Sequence, residues 1–158
     1  MNKPQTGLDD PGASAPDYVL GDQVGFLLRR AHQRASAIFQ EVFEEKSLTP
    51  QQFSVLVRLY EVGEITQNKL GRLVDMDPAS MQGVIHRLLQ HGFVNRSQDP
   101  LHKRRLKVHL TVAGREMVLD CFSLGREVSR QTLQSLDAGD RKTLLRLLKK
   151  ISSVVDNR

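Results

Sequence analysis

Residues 77–110, DPASMQGVIHRLLQHGFVNRSQDPLHKRRLKVHL, leave this chain few folds to choose from. Asp77 before Pro78 is an N-cap signal with a proline at the first helical position. Val84, Ile85, Leu88 and Leu89 then form one apolar stripe at helical spacing, and Gly92 stops the helix. Two strands are predicted next, over 93–97 and 104–110. In the second, Leu106, Val108 and Leu110 alternate with Arg105, Lys107 and His109. The connector SQDPLHK carries turn chemistry at Asp99-Pro100. A helix with one polar face, followed by a hairpin with a basic tip, reads as a recognition helix with a β-wing, a device suited to duplex DNA.

The flanking segments supply helices. Leu20, Val24, Leu27, Ala31, Ala35, Ile38 and Val42 recur at steps of four and three. Phe26, Leu28, Phe39 and Phe43 widen that stripe, which predicts a long leading helix buried on more than one side. Thr49-Pro50-Gln51-Gln52 opens a second helix as a capping box, with Phe53, Leu56, Val57 and Tyr60 inward and Gly63 at its end. Thr66 caps a short third helix, TQNKLGRLV, whose inner residues are Leu70, Leu73 and Val74. After the hairpin, Thr111 caps a long helix running to about residue 136. Asp137 opens a last helix carrying Leu144, Leu147, Leu148, Ile151, Val154 and Val155. Residues 1–16 are rich in Pro, Gly and Asp and read as a disordered tail.

The expected fold is mainly α with a small β-wing: a winged helix-turn-helix set in an all-helical dimer bundle. One domain spans 17–158, with the winged lobe at 48–111. Helices at 17–47 and 112–158 carry long apolar faces that need a partner, which predicts a homodimer built from both ends of the chain.

Charge agrees with a polyanionic partner. The chain is formally +5, and residues 64–110 hold eight Lys or Arg against four Asp or Glu. Aromatic residues are 5% of the chain and Trp is absent, which disfavours a base-stacking platform for single strands. Cys121 is the only cysteine, so no intrachain disulfide forms and a reducing cytoplasm is expected. No apolar run approaches the ~20 residues of a membrane span, and the first residues lack the order of a signal peptide. His32, His86, His91, His102 and His109 show no metal-ligand spacing. No nucleophile–base pair or phosphate loop stands out, so neither an enzyme nor a cofactor is expected.

Within the winged lobe, Pro78, Ala79, Ser80, Met81 and Gln82 begin the reading helix, small or polar enough for close approach to bases. Ser80 and Gln82 are candidates for base edges, and the helix start favours phosphate. Thr66 and Gln67 open the preceding helix. His86 and Arg87 lie further along the reading helix. Lys103, Arg104 and Arg105 sit at the wing tip, and Arg104 is the candidate for the narrow minor groove. Such a lobe could also belong to an architectural DNA-binding dimer without a ligand, or to a protein-interaction module that binds no DNA.

These residues resemble the MarR family of dimeric winged-helix transcription regulators. The match runs through Leu70, Leu73, Val74, Asp77, Val84, Arg87, Leu88, Gly92, Val94, Arg96, Asp99-Pro100, Arg104 and the Leu110-Thr111 to Gly114 join. Element order extends it over roughly 18–155. The family's wing usually has an Asp two residues before its Arg; here His102 stands there. The resemblance implies a homodimeric repressor on a pseudo-palindromic operator, released by a small aromatic acid or phenol. DQVGFLLRRAHQRASAIFQE and TQNKLGRL look most like the branch governing nicotinate degradation, which suggests a hydroxylated nicotinate. The ligand cleft of the family lies beside the first two helices, making Arg29, His32, Gln52, Phe53 and Leu56 pocket candidates. An arginine can pair a carboxylate bidentately while the apolar side chains hold a ring. Cys121, between Leu119 and Phe122 with one residue on its other side, reads as a buried structural thiol.

Overall fold

The structure is a computed structural model describing residues 18–99 and 102–153, the side chains of 102–105 excepted. The expected tail at 1–16, the turn residues Pro100 and Leu101, and Val154 and Val155 lie outside the described residues. The helices are α1 (Val24–Val42), α2 (Pro50–Val62), α3 (Gln67–Leu73), α4 (Pro78–Gln90), α5 (Val112–Thr132) and α6 (Ala138–Ser152). The strands are β1 (Ile65–Thr66), β2 (Val94–Asp99) and β3 (His102–Leu110), so the chain is mainly α with a small antiparallel sheet.

The chain divides into two compact units, residues 1–32 and 33–158. The described part of the first holds the short 3-10 turn Leu20–Asp22 and the start of α1. Its apolar residues do not find the burial expected of them. Tyr18, Val19, Leu20, Val24, Leu27 and Leu28 are all exposed in the single chain. Arg29 and Arg30 lie over the Phe26 ring, 5.1 and 5.8 Å from its centroid.

The second unit is built around α2. Thr49 and Gln52 form the expected capping box: the Gln52 amide N–H donates to Thr49 Oγ1 at 3.2 Å, and the Thr49 N–H donates to Gln52 Oε1 at 2.8 Å. The buried face of α2 is Gln52, Val55, Leu56 and Leu59, one helical stripe. That face is rotated from the expected one, of which only Leu56 is fully buried; Phe53, Val57 and Tyr60 are half-buried. The reason is that α2 packs on α3, α4, α5 and β3 together, so its inner side is broader than one amphipathic stripe. Phe39, Phe43 and Phe53 cluster beside it, the first two stacked with centroids 4.0 Å apart.

Strand order is β1-β3-β2. β2 and β3 pair from Val94↔Leu110 to Gln98↔Leu106, and an irregularity then sets Asp99 opposite His102. β1 adds Ile65↔Val108 and Thr66↔Lys107. The hairpin is thus longer than the expected 93–97 and 104–110, because pairing continues into the connector. The two-residue β1 is too short to show a period in sequence. Of the alternating apolar residues in β3, Val108 is fully buried, Leu110 half-buried, and Leu106 47% exposed, since the hairpin runs out beyond the core.

Gly92, at φ 71°, ends α4 in the left-handed region that glycine adopts at least cost. Thr111 then joins hairpin to α5. It caps the helix by accepting from the Gly114 N–H at 3.0 Å, and its hydroxyl donates to the Gly92 carbonyl at 2.6 Å. α5 ends at Thr132, short of residue 136, and its C-cap is Leu133. α6 has no buried residue; Leu145, Leu147, Leu148 and Ile151 are exposed. Among the described residues no helix is long and apolar enough to cross a membrane.

Candidate nucleic-acid interface

The α3–turn–α4 unit is set by a close approach at Gly71. A Cβ there would stand 3.2 Å from the Met76 carbonyl and 3.8 Å from Met81 Cγ. The Met76 N–H donates to the Gly71 carbonyl at 2.9 Å, closing the turn, and Asp75 takes a positive φ of 52°. Leu70 and Met81 are buried at this junction. Met81, grouped from sequence with the reading residues, is therefore a core residue. Leu73, expected inward, is 42% exposed, because Leu70 and Gly71 form the buried side of this short helix. Thr66 occupies the N-cap position of α3, yet its side chain makes no capping bond; its backbone is extended and pairs with β3 instead.

Asp77 caps α4, accepting from the Ser80 N–H at 2.9 Å and from its hydroxyl at 2.5 Å. The Ser80 hydroxyl, followed by its backbone N–H, holds the Asp77 carboxyl below the usual carboxylate range. Ser80 thus donates to Asp77 and keeps its oxygen lone pairs for another donor. With Met81, Val84, Ile85 and Leu88 buried, α4 presents Pro78, Ala79, Ser80, Gln82, His86 and Arg87 to solvent. Gln82 and His86 are one turn apart on one face. Gly83 lies between, and a Cβ there would be 3.8 Å from the Arg87 guanidinium.

Thr66 and Gln67 are half-buried. Gln67 Oε1 accepts from Arg96 Nη2 at 3.5 Å, linking α3 to β2. Lys103, Arg104 and Arg105 belong to β3 by their backbone, and their side chains lie outside the described residues, as does that of His102. An open groove of about 800 Å³ runs between β1, α3 and the hairpin, lined by Glu64, Gln67, Lys69, Arg72, Asp99 and Lys107 among others. Sequence reading singled out neither Lys69, Arg72 nor Glu64 for a role. Only the fold brings 64–72 beside Asp99, Leu106 and Lys107, and an isolated acid before a short helix carries no local signal of it.

At the root of the hairpin, Glu64 gathers groups from both strands. Ser97 donates its hydroxyl to Glu64 Oε1, Lys107 Nζ stands 3.7 Å from Oε2, and His109 Nδ1 stands 3.6 Å from Oε1. Lys107 is also 3.7 Å from Asp99 Oδ1.

Of the ligand candidates, Gln52 is buried with its amide oxygen held by the Thr49 N–H, and Leu56 is buried in the core. Phe53 is half-buried against Phe39 and Phe43 and lines an open groove of about 300 Å³ with Val57, Arg58, Leu73 and Val74. Arg29 and His32 are exposed on the first unit. Cys121 is fully buried, its Sγ 3.7 Å from Met117 Sδ, and burial pushes its thiol pKa up. Among the described residues no group of three His, Cys, Asp or Glu side chains could hold a metal ion.

One family model and three known proteins resemble this chain. The MarR family model matches residues 48–106. The HTH-type transcriptional repressor NicR of Pseudomonas putida is 34% identical over 157 residues, 99% of this chain and 99% of that protein. Among solved structures, that of Bordetella bronchiseptica BpsR, described as showing how 6-hydroxynicotinic acid regulates its DNA binding, is 35% identical with a TM-score of 0.82, covering 85% of this chain and 96% of that one. A MarR variant from Escherichia coli complexed with operator DNA is 28% identical with a TM-score of 0.76, covering 81% and 92%.

Proposed function

This chain belongs to the MarR family of DNA-binding transcription factors, not enzymes, and on that premise we propose a homodimeric repressor that releases its operator when a hydroxylated nicotinate binds. One observation carries the DNA half of the reading. α4 packs against α3 and β2 and turns Ser80, Gln82, His86 and Arg87 to solvent.

In this reading α4 enters a major groove. Ser80 and Gln82 meet base edges, and Thr66, Gln67, Pro78 and Ala79 border the phosphates at the helix starts. Arg87 and His86 contact the groove further along. Lys103 and Arg105 lie against the backbone while Arg104 enters the adjacent minor groove. A homodimer places two such helices about one helical turn, ~34–36 Å, apart on a pseudo-palindrome. The exposed apolar residues of the first unit and of α6 support the dimer, since single soluble chains seldom leave such surface uncovered.

The effector rests on likeness to BpsR, whose DNA binding 6-hydroxynicotinic acid regulates. Arg29 is the group proposed for its carboxylate, with His32 a turn away on the same helix; Phe53 is nominated separately, for its ring. Gln52 is the weakest of the nominated residues, because its amide oxygen already serves the cap of α2. The ligand need not touch the DNA face. It need only bind better to a dimer whose two readers are wrongly spaced, by a few kcal/mol.

Fluorescence anisotropy of a duplex from the protein's own promoter, at two salt concentrations and with or without 6-hydroxynicotinate, tests both halves. Tight, salt-sensitive binding that the compound abolishes is the expected result. Tight binding indifferent to it removes that effector and keeps the repressor. Affinity no better than for random duplex removes the operator reading.

A further inference from the structure

Glu64 is an acid in a lobe whose charge otherwise favours DNA. It lines the groove that also holds Lys69, Arg72 and Lys107, and its side chain is 41% exposed. On Coulomb grounds alone it repels phosphate, and removing it should tighten binding. Its contacts give it a different part. Ser97 belongs to β2, and Lys107 and His109 to β3. The register sets Ser97 opposite Lys107 and Asn95 opposite His109, so these side chains share one face of the hairpin. Glu64 immediately precedes β1 and reaches all three of Ser97, Lys107 and His109. The 3.6 Å to His109 Nδ1 suits an ion pair when the ring is protonated and is too long for a hydrogen bond, which leaves that buried nitrogen without one.

The hairpin needs such a fixture. Past Val108 it has little core beneath it, as the exposure of Leu106 shows, and a two-stranded ribbon alone is marginally stable in water. The short β1 touches β3 only through Ile65 and Thr66. Glu64 extends that link by one residue and carries it across to β2. Lys107, held between Glu64 and Asp99, ties the same face again nearer the tip.

We propose that Glu64 is a positioning residue for the wing. It fixes the inclination of the hairpin against α3 and α4, so that the tip at 103–105 arrives at the duplex in register with α4. This rests on the reading that the tip contacts DNA.

The sign of the effect separates positioning from charge. The full chain is titrated on its promoter duplex as wild type, as Glu64→Gln, as Ser97→Ala, as a tip variant with Lys103, Arg104 and Arg105 all changed to Ala, and as tip variant with Glu64→Gln. Glu64→Gln weakens binding about threefold to tenfold, the range open to a partly exposed ionic cluster. It also flattens the salt dependence, although the protein has gained positive charge. Ser97→Ala, which changes no charge, weakens binding in the same sense. In the tip variant Glu64→Gln no longer weakens binding, because no wing contact is left to misplace. Thermal melting confirms that each variant is folded. Unchanged or tighter binding by Glu64→Gln in the otherwise native protein overturns the proposal, as does equal weakening in both backgrounds. A tip variant that binds like wild type overturns the tip reading and this proposal with it. A weakened tip variant beside an unaffected Glu64→Gln overturns this proposal alone.

Discussion

Gly114 shows how much one missing methyl group decides. A Cβ at this position would lie 1.9 Å from the Phe93 carbonyl oxygen, inside the hairpin root that Thr111 ties to α5. The neighbour is backbone just before β2, its carbonyl held by the Thr111 N–H and its own N–H donating to the Leu88 carbonyl, both at 3.0 Å, so it cannot swing aside. Gly114→Ala is expected to destabilise by about 3 kcal/mol or more and to lower the melting midpoint by roughly 5 °C or more. An unchanged midpoint would show that α5 slides away from β2 freely. Asp77 gives a residue-level prediction in pH. Its folded pKa is lowered, chiefly by the Ser80 hydroxyl, so its stabilisation is present above the ordinary carboxylate value and is lost as pH falls through the folded one. The melting gap between wild type and Asp77→Ala should be constant near neutrality and close below about pH 4. A gap that persists in strong acid would mean that charge is not what the cap contributes. At this scale the sequence was legible where the signal is local. The Thr49–Gln52 box and the Asp77 and Thr111 caps each need only residues three apart. Met81 and Leu73 were misplaced because their burial depends on the close approach at Gly71, which no stripe encodes.

In the proposed reading helix and hairpin act on DNA by different physics, and the two can be separated. α4 presents polar side chains at a helical spacing set by its buried face, so its proposed contribution is to choose bases. The hairpin carries a basic sequence at 103–105, and its proposed contribution is to hold phosphates and the minor groove. Arg104→Ala is expected to weaken binding across all duplex sequences and to reduce the slope of log affinity against log salt by about 1. Gln82→Ala is expected to leave that slope alone and to relax preference at one base position by about 1–3 kcal/mol. Anisotropy titrations over a set of single-base operator variants at several salt concentrations read both effects. A uniform loss from Gln82→Ala would assign it to the backbone, and an unchanged slope for Arg104→Ala would remove that arginine from the interface. Element order was legible from 3.6- and 2-residue periods, and so was the polar side of α4. The two-residue β1 and the Glu64 cluster were not, since each arises from strands meeting across thirty or more residues; nor was the pairing of Asp99 with His102, which follows an irregularity in the register rather than a regular period.

The whole molecule presents more apolar surface than a single chain of this kind keeps. α6 buries none of its residues, yet Leu147 and Ile151, one turn apart, are 41% and 56% exposed. Its caps and charge are in order: Asp137 accepts from the Asp140 N–H at 2.8 Å, and Lys149 and Lys150 lie in the last turn where the helix dipole favours cations. A helix so well formed, with leucines that no described residue covers, is the surface we assign to the proposed dimer interface. Exposure in the single chain also sets the terms of the test. Glutamate at 147 and 151 meets only solvent in a lone chain, so Leu147→Glu with Ile151→Glu should leave helicity unchanged. In a dimer the same substitutions place four acids where leucine and isoleucine would be covered, and uncompensated buried charge is strongly unfavourable. Sedimentation is expected to show a dimer for the wild type and a monomer for the double variant. Operator affinity should then fall by roughly 100-fold or more, because the second half-site is no longer engaged intramolecularly. Random-duplex affinity, which needs only one lobe, should fall far less. A variant that still sediments as a dimer would place the interface elsewhere than on α6; a monomer retaining full operator affinity would mean that one lobe alone reads the site.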